Sequence, residues 1–546
     1  MKKIASITLI LFFSAANLYA EKIIGITAFE NLSKQPNFTW MEIGIPESIS
    51  MKLRNIKEYI VIDRINVDKI VKEIQLGQSG LLDEKNVKQA GKALNADILV
   101  MGSYQIFGNK IRIIAKMVEV ESHRVVNSVQ ATGELDSIFD IQDEIALKII
   151  GESKIEMSQE VKERVTEKYT KNLTAYEYLS KGQKLYYQTQ YEEAIKMFNK
   201  AVEIDKNYSI AYAQLGKAYA NLYWQIKNYT NEIRPAYLEQ SFKYTTKALQ
   251  ITPNLDEAHL SLAKYYQNVE DSVVSDKWVK CEEETKKVLE LNPNNGEALF
   301  LMSRIYGYND TKEEDYLHKA ISKNNFIADA HNNLGIIYLD SKKYDQAVEA
   351  FQKAIEIDPE YKLAYMNTGV VYARQGKHRE AIEMYKKIVE KYPKYTLALS
   401  NIGIGYRDLG DFDTALEWFK KSVEAKPDYG FGWGEIANVY RKKGKYDEAI
   451  KYYEISLKHD PKNKYSLSNM GWIYEQKNDF DTAIKYLEKA VEYNPGYAWP
   501  AGELGYIYRF KKQNIPLAKK WFDDALKKEP SNDYYQRNVK ELNETP

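Results

Sequence analysis

Small and apolar residues recur at a fixed step along the second half of this chain. From residue 328 to residue 497 the step is 34 residues, without an insertion or a deletion. The recurring small residues are Gly335, Gly369, Gly403, Ala437 and Gly471, followed by Ala347, Ala381, Ala415, Ala449 and Ala483. The recurring tyrosines are Tyr338, Tyr372, Tyr406, Tyr440 and Tyr474, and the units close with Pro359, Pro393, Pro427, Pro461 and Pro495. A fixed period of about 20 to 50 residues is typical of stacked repeats, so the pattern predicts an array.

Each unit is predicted to contain two helices that pack against each other. In the unit 362–395, apolar residues three and four apart share one face of a first helix: Tyr365, Gly369 and Tyr372. Gly376 is predicted to end this helix, because a residue without a β-carbon adopts the left-handed conformation easily. The inner face of the second helix, which ends before Pro393, consists of Ala381, Tyr385 and Ile388. Neither helix can bury its apolar face alone, so the units must stack.

The offsets within a unit resemble those of the tetratricopeptide repeat (TPR). Residues 329–361 carry the most complete set: Leu334, Gly335, Tyr338, Ala347, Phe351, Ala354 and Pro359. Similar offsets extend over residues 174–530 as about ten repeats, and a polar helix over 531–546 would cap the exposed end. The second to fourth repeats are irregular in length, which indicates either a bend or binding feature or simple drift. The resemblance implies an all-α TPR superhelical solenoid.

Residues 21–135 lack the 34-residue step and alternate between strand and helix patterns, which predicts a small mixed α/β domain. Strands are predicted at Lys22–Phe29, Tyr59–Asp63, Ile98–Met101, Ile111–Val120 and Val125–Thr132. Helices are predicted at Trp40–Leu53 and near 66–76 and 85–94. Gly108 and Asn109 are typical of a hairpin turn between the third and fourth strands. Residues 136–173 are amphipathic and highly charged, and we interpret them as a helical connector to the array, in which the almost wholly polar run 159–171 forms a solvated helix face.

Three short segments near the N-terminus carry a second resemblance. They are Phe29–Ser33, Ile98–Ser103 and Phe139–Ile145. In this order they resemble the TolB-like N-terminal domain of envelope proteins, which also occurs beside bacterial adenylate cyclases and regulators. That family overlaps with the CsgG-like domain of curli-type secretion channels. The resemblance implies an envelope-associated binding or assembly module with no catalytic residues.

Residues 1–20 are predicted to form a secretory signal peptide. Two lysines precede an apolar segment at Ile4–Phe13, and small residues follow it. Cleavage after Ala16 and cleavage after Ala20 both fit the pattern, and an uncleaved N-terminal anchor is the alternative. The apolar segment is short for a spanning helix, and no later segment approaches its length. We expect a periplasmic or secreted protein without an integral membrane span once the signal is removed.

The composition excludes several classes of function. The 77 basic and 77 acidic residues balance, which does not favour a nucleic-acid-binding surface. The six histidines are scattered, and His259 and His331 occupy packing positions of their repeats. Because no pair of histidines has metal-ligand spacing and no nucleophile elbow or phosphate loop is present, we expect no catalytic site, metal or cofactor. Cys281, the single cysteine, occupies a position that requires a small buried residue, which predicts a structural thiol.

A concave groove is the candidate functional surface. The resemblance implies that the second, fifth, sixth, ninth and twelfth residues of each first helix line it. The sixth residues include Asn333, Asn367, Asn401 and Asn469. The second residues are Leu363, Leu397, Phe431, Tyr465 and Trp499, with Trp472 at a ninth position. The twelfth residues include Arg407, Arg441 and Arg509.

These rows predict a site for an extended peptide with apolar residues and some negative charge. Asparagine amides both donate and accept hydrogen bonds, which suits a peptide backbone, and the repeat arm of the O-GlcNAc transferase family uses a similar ladder. The alternative is that asparagine is simply common at this position. Exposed aromatic side chains and arginines are the types that dominate interface energies.

We therefore expect an exported scaffold or assembly factor that binds partner proteins or peptides in the cell envelope. A non-catalytic substrate-recruiting or regulatory subunit of an envelope enzyme or signalling complex is the alternative. An enzyme that uses the array as a substrate arm is disfavoured, because only about 16 residues follow the last repeat. The sequence does not identify the partner or the oligomeric state.

Overall fold

The computed structural model describes residues 21–74, 84–153, 155–230, 234–307 and 311–544. Two compact units divide the chain between Ala330 and His331. The first unit holds an α/β domain and the first helix pairs, and the second holds the remaining helices. The predicted signal peptide at 1–20 lies outside the described residues. None of the described helices is both long enough and apolar enough to cross a membrane.

Within the described residues, one sheet of five strands forms the centre of the α/β domain. The strands are β1 (Lys22–Asn31), β2 (Tyr59–Val61), β3 (Ile98–Phe107), β4 (Lys110–Glu119) and β5 (Val125–Glu134). Their spatial order is β2-β1-β3-β4-β5. The pairs β1–β2 and β1–β3 are parallel, whereas β3–β4 and β4–β5 are antiparallel. Gly108 has a φ of +60° in the β3–β4 turn, as the sequence predicts for a hairpin.

Helices cover both faces of this sheet. They are α1 (Met41–Leu53), α2 (Arg64–Glu73), α3 (Glu84–Leu94) and α4 (Ile138–Glu152). Alternation along β3 sends Ile98 and Val100 into the core under α1 and α4, and sends Leu99 into the core under α2 and α3. Strands β1 and β3 are therefore buried on both sides over much of their length, which explains their nearly continuous apolar sequence, whereas β4 and β5 alternate between buried and exposed residues.

The assignment of residues 136–173 to a connector is wrong for α4, which belongs to the α/β domain. Ile141, Ile145 and Ile149 of α4 are buried in the same core as β4 and β5. Their spacing of four residues places them on one face, which packs on the sheet. Only the short helix α5 (Gln159–Val165) and its flanking residues connect this domain to the repeats.

Ten helix pairs follow in the described part of the chain, and a final helix covers the last pair. The first unit contains α6 (Leu173–Tyr187), α7 (Tyr191–Ile204), α8 (Ser209–Thr230), α9 (Pro235–Ile251), α10 (Asp256–Asn268), α11 (Lys277–Leu291), α12 (Gly296–Tyr306) and α13 (Thr311–Lys323). Helix α14 (Ala328–Asp340) is followed by α15 (Tyr344–Ile357), α16 (Lys362–Arg374), α17 (His378–Lys391), α18 (Thr396–Asp408), α19 (Phe412–Ala425), α20 (Gly430–Lys442), α21 (Tyr446–His459), α22 (Lys464–Gln476), α23 (Phe480–Tyr493), α24 (Ala498–Tyr506), α25 (Ile515–Lys528) and α26 (Asp533–Glu544).

The pairing follows from the small residues that recur in the sequence. A methyl group on Gly403 in α18 would lie 2.7 Å from the ring of Phe419 in α19, so the glycine lets the two helices approach. Gly376 has a φ of +74° between α16 and α17, as the sequence predicts. The added residue of the tenth repeat is accommodated by a π-helical turn at Ile507–Lys511 after α24.

Candidate functional site

The groove-lining residues of the first repeat are covered by the α/β domain. Helix α1 packs against α6, and the rings of Trp40 and Tyr176 meet edge to face with centroids 5.2 Å apart. A methyl group on Gly44 would come within 2.5 Å of Ser180 Oγ. Gln142 Nε2 in α4 donates a hydrogen bond to Tyr176 Oη at 2.9 Å. Since Tyr176 and Ser180 are the second and sixth residues of this repeat, the α/β domain occupies its groove.

The α/β domain also contacts the second, third and fourth repeats, and the contacts with the third and fourth are polar. Ile210, the second residue of the second repeat, is 4% exposed and lines the same interface. Arg54, the residue that follows α1, forms an ion pair at 3.0 Å with Glu257, the second residue of the third repeat. Asn294 Nδ2 donates a hydrogen bond at 2.8 Å to the carbonyl of Lys57, just before the fourth repeat begins. The groove of the first repeats is therefore occupied by the α/β domain of the same chain.

Ionisable groups inside this interface have partners of opposite charge. Burial raises the pKa of Glu47 in α1, and the guanidinium groups of Arg64 and Arg54 lower it in part. Lys52 forms an ion pair with Asp143 in α4. These pairs lie within the α/β domain, and the ion pair of Arg54 with Glu257 joins the domain to the repeats. Pairing matters at such a site because an unpaired buried charge would cost several kcal/mol.

The equivalent positions are exposed in the second unit. At the second position of a repeat, Tyr176 is only 4% exposed, whereas the second-unit residues have much larger exposed fractions. These are Leu363 at 50%, Leu397 at 50%, Phe431 at 37% and Tyr465 at 57%. We call these four residues the apolar row. The second position of the repeat is therefore buried at Tyr176 in the first unit and exposed at these four residues of the second unit.

Two aromatic residues that were predicted to be exposed in the groove are half-buried. Trp472 is half-buried among Ala437, Met470 and neighbouring tyrosines, and the guanidinium of Arg441 lies 5.1 Å from its ring centre. Trp499 is half-buried against the cluster that contains Leu487. The expectation that these tryptophans are exposed is wrong, because each ring fills space between successive repeats.

The predicted arginine row is engaged within the protein. Arg407 donates to Asp408 and forms an ion pair with Glu435, the sixth residue of the next repeat. Arg509 donates to Asn538 and Glu541 in α26. Arg441 donates from Nη2 to Asn438 at 3.0 Å, besides lying over Trp472. Two of the three arginines are therefore neutralised by carboxylates, which removes the basis for expecting a negatively charged peptide.

The predicted asparagine row is half-buried at every member: Asn333, Asn367, Asn401 and Asn469. Asn367 Nδ2 donates to Asn332 Oδ1 at 2.9 Å, so this amide links two repeats. Asn401 and Asn469 instead line clefts that open between neighbouring first helices. The four asparagines therefore do not form one uniform ladder.

Two tyrosines that sequence reasoning did not place in the groove also line these clefts. Tyr385 shares one cleft with Asn401, and Tyr453 shares the other with Asn469, Phe431 and Tyr465. Burial raises the pKa of Tyr385 to about 12, and burial also raises the pKa of Tyr453. The sequence could have indicated these two residues, because both are tyrosines at a position where other repeats have phenylalanine.

A carboxyl pair was also missed. Glu475 in α22 lies beside Glu503 in α24, and burial, with Glu475 as the second cause, raises the pKa of Glu503 to about 7. Burial also raises the pKa of Glu475. Glu475 is the twelfth residue of its first helix, and Glu503 is the sixth residue of the next first helix. Arg407 and Glu435 occupy the same two positions two repeats earlier. A carboxyl group thus replaces the arginine at this junction.

Comparison with known families agrees with this architecture. Tetratricopeptide repeat models match residues 182–222, 328–361, 363–428 and 432–495. A model described as curli production assembly/transport component CsgG matches residues 13–115. A curated relative from Rhizobium meliloti (strain 1021), putative adenylate cyclase 3, is 23% identical over 201 residues. The match covers 36% of this chain and 32% of the relative, so it spans about a third of the relative's length.

Solved structures with similar helical repeats include MamA, YrrB and Cut9-Hcn1. MamA is 25% identical, with 30% of this chain and 95% of that chain covered and a TM-score of 0.27. YrrB, titled a TPR protein with an unusual peptide-binding site, is 22% identical, with 34% and 95% covered and a TM-score of 0.27. The APC/C hetero-tetramer Cut9-Hcn1 is 17% identical, with 74% and 81% covered and a TM-score of 0.36. From its repeats and its N-terminal match, this chain is a tetratricopeptide-repeat protein with a CsgG-like N-terminal domain.

Proposed function

We propose that this protein is an exported scaffold or assembly factor of the cell envelope that binds segments of partner proteins in the groove of its second unit. The observation that carries the proposal is the apolar row, which is open although its first-unit equivalents are buried. Exposed apolar patches of this kind mark interaction sites in soluble proteins.

The first unit supports the proposal, because the groove of its first repeats already binds a folded domain. There, the same positions bury Tyr176 and Ile210 against another folded domain. Burial of an apolar side chain contributes about 1.5–3 kcal/mol, so a partner that covered the apolar row would gain comparable energy at each repeat. Since the first groove is already filled, the partner binds the second unit.

The envelope location rests on two features of the N-terminal part. Residues 1–20 have the charge, apolar segment and small residues of a signal peptide. The family matched at residues 13–115 is described as a curli assembly and transport component. Fractionation with N-terminal sequencing tests export, and a full-length chain in the cytoplasm would refute it.

Substitution in the apolar row tests the binding groove. The tagged mature chain with Phe431→Ser and Tyr465→Ser is compared with the parent in affinity capture from envelope extract. We expect the partner captured by the parent to bind at least about tenfold more weakly, which corresponds to roughly 1.4 kcal/mol. Tyr493→Ser is the matched control, because Tyr493 is an exposed aromatic side chain on a second helix, α23. Equal capture by the double variant and the parent would refute the groove assignment.

A regulatory subunit of an envelope signalling enzyme is the second candidate. It is favoured by the match to a relative named putative adenylate cyclase. This candidate predicts that the captured partner is a signalling enzyme whose activity changes on addition of the purified chain. A partner without enzymatic activity supports the scaffold instead.

A further inference from the structure

The two edges of the sheet in the α/β domain differ. At one edge, β2 is only 3 residues long. Asn294 caps this edge from just before the fourth repeat, because its Nδ2 donates to the carbonyls of Lys57 and Tyr59 at 2.8 and 3.3 Å. At the opposite edge, β5 is 10 residues long and packs against β4 and α4. Within the described residues no strand pairs with the outer side of β5, so this edge is open.

Every second residue of β5 points its backbone groups away from the sheet. The N–H of Leu135 donates to the carbonyl of Asn109 at 2.7 Å, and the register of β4 and β5 continues from this pair. Hydrogen-bonded and non-hydrogen-bonded residues alternate along an antiparallel pair. The odd-numbered residues of β5 therefore bond to β4 as far as Asn127. The residues whose N–H and C=O groups point outward are Ser128, Gln130 and Thr132.

A lysine independently shows the direction of one outward carbonyl. Lys148 Nζ in α4 donates a hydrogen bond to the carbonyl of Gln130 at 2.7 Å. Lys148 also forms an ion pair with Glu144 at 2.6 Å, and its side chain is 43% exposed. Exposed contacts of this kind contribute little energy, so Lys148 can release the carbonyl to a competing strand at little cost. Among the described residues, no acceptor engages the outward N–H groups of β5.

The sequence of β5 does little to prevent pairing. It has no proline and no charged residue from Val125 to Gly133. The side chains of its three outward residues are exposed, polar and uncharged. Natural open edges are usually short, or carry charges, proline or a bulge. The irregularity of β5 lies near Val125, before the open stretch begins. The open stretch therefore suits pairing with another strand.

We propose that β5 pairs antiparallel with β5 of a second copy of this chain, centred on Gln130. In this arrangement Gln130 faces its own equivalent, and Ser128 faces Thr132 of the second copy. No like charges are opposed, and hydroxyl pairs across strands are favourable. Antiparallel pairing also brings the exposed Arg124, at one end of β5, to the end where the second copy carries the exposed Glu134. The two ends of the paired strands are therefore complementary in charge.

A dimer of this kind would have two binding grooves, one in the second unit of each copy. A partner with two binding segments would then be held more tightly than by one groove, because its second contact is intramolecular. The pairing uses the backbone of β5 and no residue of the groove. The inference therefore does not depend on the proposed function.

Sedimentation velocity of the mature chain over a series of concentrations tests the dimer. We expect a reversible equilibrium between monomer and dimer. Gln130→Pro should weaken dimerisation at least about tenfold, because it removes both hydrogen bonds at the centre of the pair. Proline is tolerated on an edge strand where its nitrogen faces solvent, and an unchanged circular dichroism spectrum verifies the fold. Gln130→Lys keeps the backbone and places like charges opposite each other, so it should also weaken dimerisation.

A parent that stays monomeric up to the highest attainable concentration overturns the proposal. A dimer that neither substitution of Gln130 weakens overturns it as well.

Lys148→Ala should have the opposite effect. The lysine competes for the carbonyl of Gln130, so its removal should strengthen dimerisation about threefold to tenfold. A substitution that only disturbed the fold would weaken the dimer instead. Lys92→Ala, at an exposed lysine on α3, is the matched control for the loss of one positive charge. Dimerisation of Lys148→Ala no stronger than that of this control contradicts the pairing.

Crosslinking tests the register. In the Gln130→Cys variant two thiols face each other, on Cα atoms about 5.5 Å apart. The native Cys281 is buried. Lys116→Cys, at an exposed residue of β4, is the control, because β4 of one copy lies three strand spacings, about 14 Å, from β4 of the other. A bifunctional maleimide shorter than this distance should link copies of the Gln130→Cys variant alone. Equal linking of both variants, or none of the first, overturns the proposed register.

An extended segment of another protein is the other possible occupant of this edge. It predicts a monomeric parent whose capture of a partner from envelope extract is lost in Gln130→Pro. It also predicts that capture is retained after substitution of Phe431 and Tyr465. That result assigns the edge to a partner segment and overturns pairing between two copies.

Discussion

The carboxyl pair at the junction of α22 and α24 should make the last repeats less stable as the pH rises. The pKa of Glu503 is raised from 4.5 to about 7, first by burial and then by Glu475. One pKa unit corresponds to about 1.4 kcal/mol, so ionisation of Glu503 costs the folded state about 3 kcal/mol relative to the unfolded chain. The titration belongs to the pair, because the two carboxyl groups interact strongly.

The sign and the pH window follow from the raised pKa. Below about pH 4.5 the carboxyl of Glu503 is protonated in both the folded and the unfolded chain, and the full stability is present. Between about pH 4.5 and pH 7 the unfolded chain ionises first, so stability is lost. Above about pH 8 Glu503 is ionised in both states, and its contribution no longer changes.

Glu503→Gln provides the perturbation, because glutamine keeps the shape and cannot ionise. Hydrogen exchange of the amides in α22 and α24 is compared between parent and variant at each pH, so that intrinsic exchange rates cancel. The parent should match the variant near pH 4 and be less stable by about 3 kcal/mol at pH 8. Glu492→Gln, at an exposed carboxyl on α23, controls for the loss of one charge. A difference between parent and Glu503→Gln that does not change from pH 4 to pH 8 would refute the reasoning.

Two further predictions test packing. Gly403→Val should destabilise the second unit by about 1–3 kcal/mol, because it forces atoms into the ring of Phe419. Chemical denaturation measures this loss, and Gly496→Ala is the control, since a methyl group there meets no atom within 4 Å; equal midpoints for Gly403→Val and the parent would contradict the packing. The thiol of Cys281, whose pKa burial raises to about 11, should react with a thiol reagent at least about a hundredfold more slowly in the native than in the denatured protein. Fast labelling of the native chain would show that this thiol is accessible.

The repeat helices were predictable because their determinants are local. Helices α16, α18, α20 and α22 begin at Lys362, Thr396, Gly430 and Lys464, 34 residues apart, as the period requires. Small residues, tyrosines and closing prolines each act within one repeat or on its neighbour. The order of strands and helices in the α/β domain also follows from local alternation and turn residues.

The state of the groove was not predictable, because it depends on contacts between distant parts of the chain. Nothing in the repeat sequence indicates that Gly44 in α1 packs on Ser180, or that Arg54 pairs with Glu257. The covered positions of the first repeats and the open ones of the second unit have the same offsets. The isoleucines spaced four residues apart in α4 did indicate a buried helix face. The high overall charge of residues 136–173 led us instead to interpret the whole stretch as a connector.

The charge of the groove was mispredicted for a different reason. Each row was considered alone, although a twelfth residue faces the sixth residue of the next repeat. Comparing the two rows would have paired Arg407 with Glu435 and left Glu475 opposite Glu503. This rule is readable from sequence wherever the repeat length is constant.

The domain that fills the first groove changes what a truncation of this chain means. A fragment that began at α6 would expose Tyr176 and Ile210 to water and leave Glu257 without its arginine. Such a fragment would be prone to aggregate and would capture proteins through a surface that is an interior in the intact chain. The α/β domain and the first four repeats are thus one folding module, and binding studies on repeats alone are interpretable only when they start within the second unit.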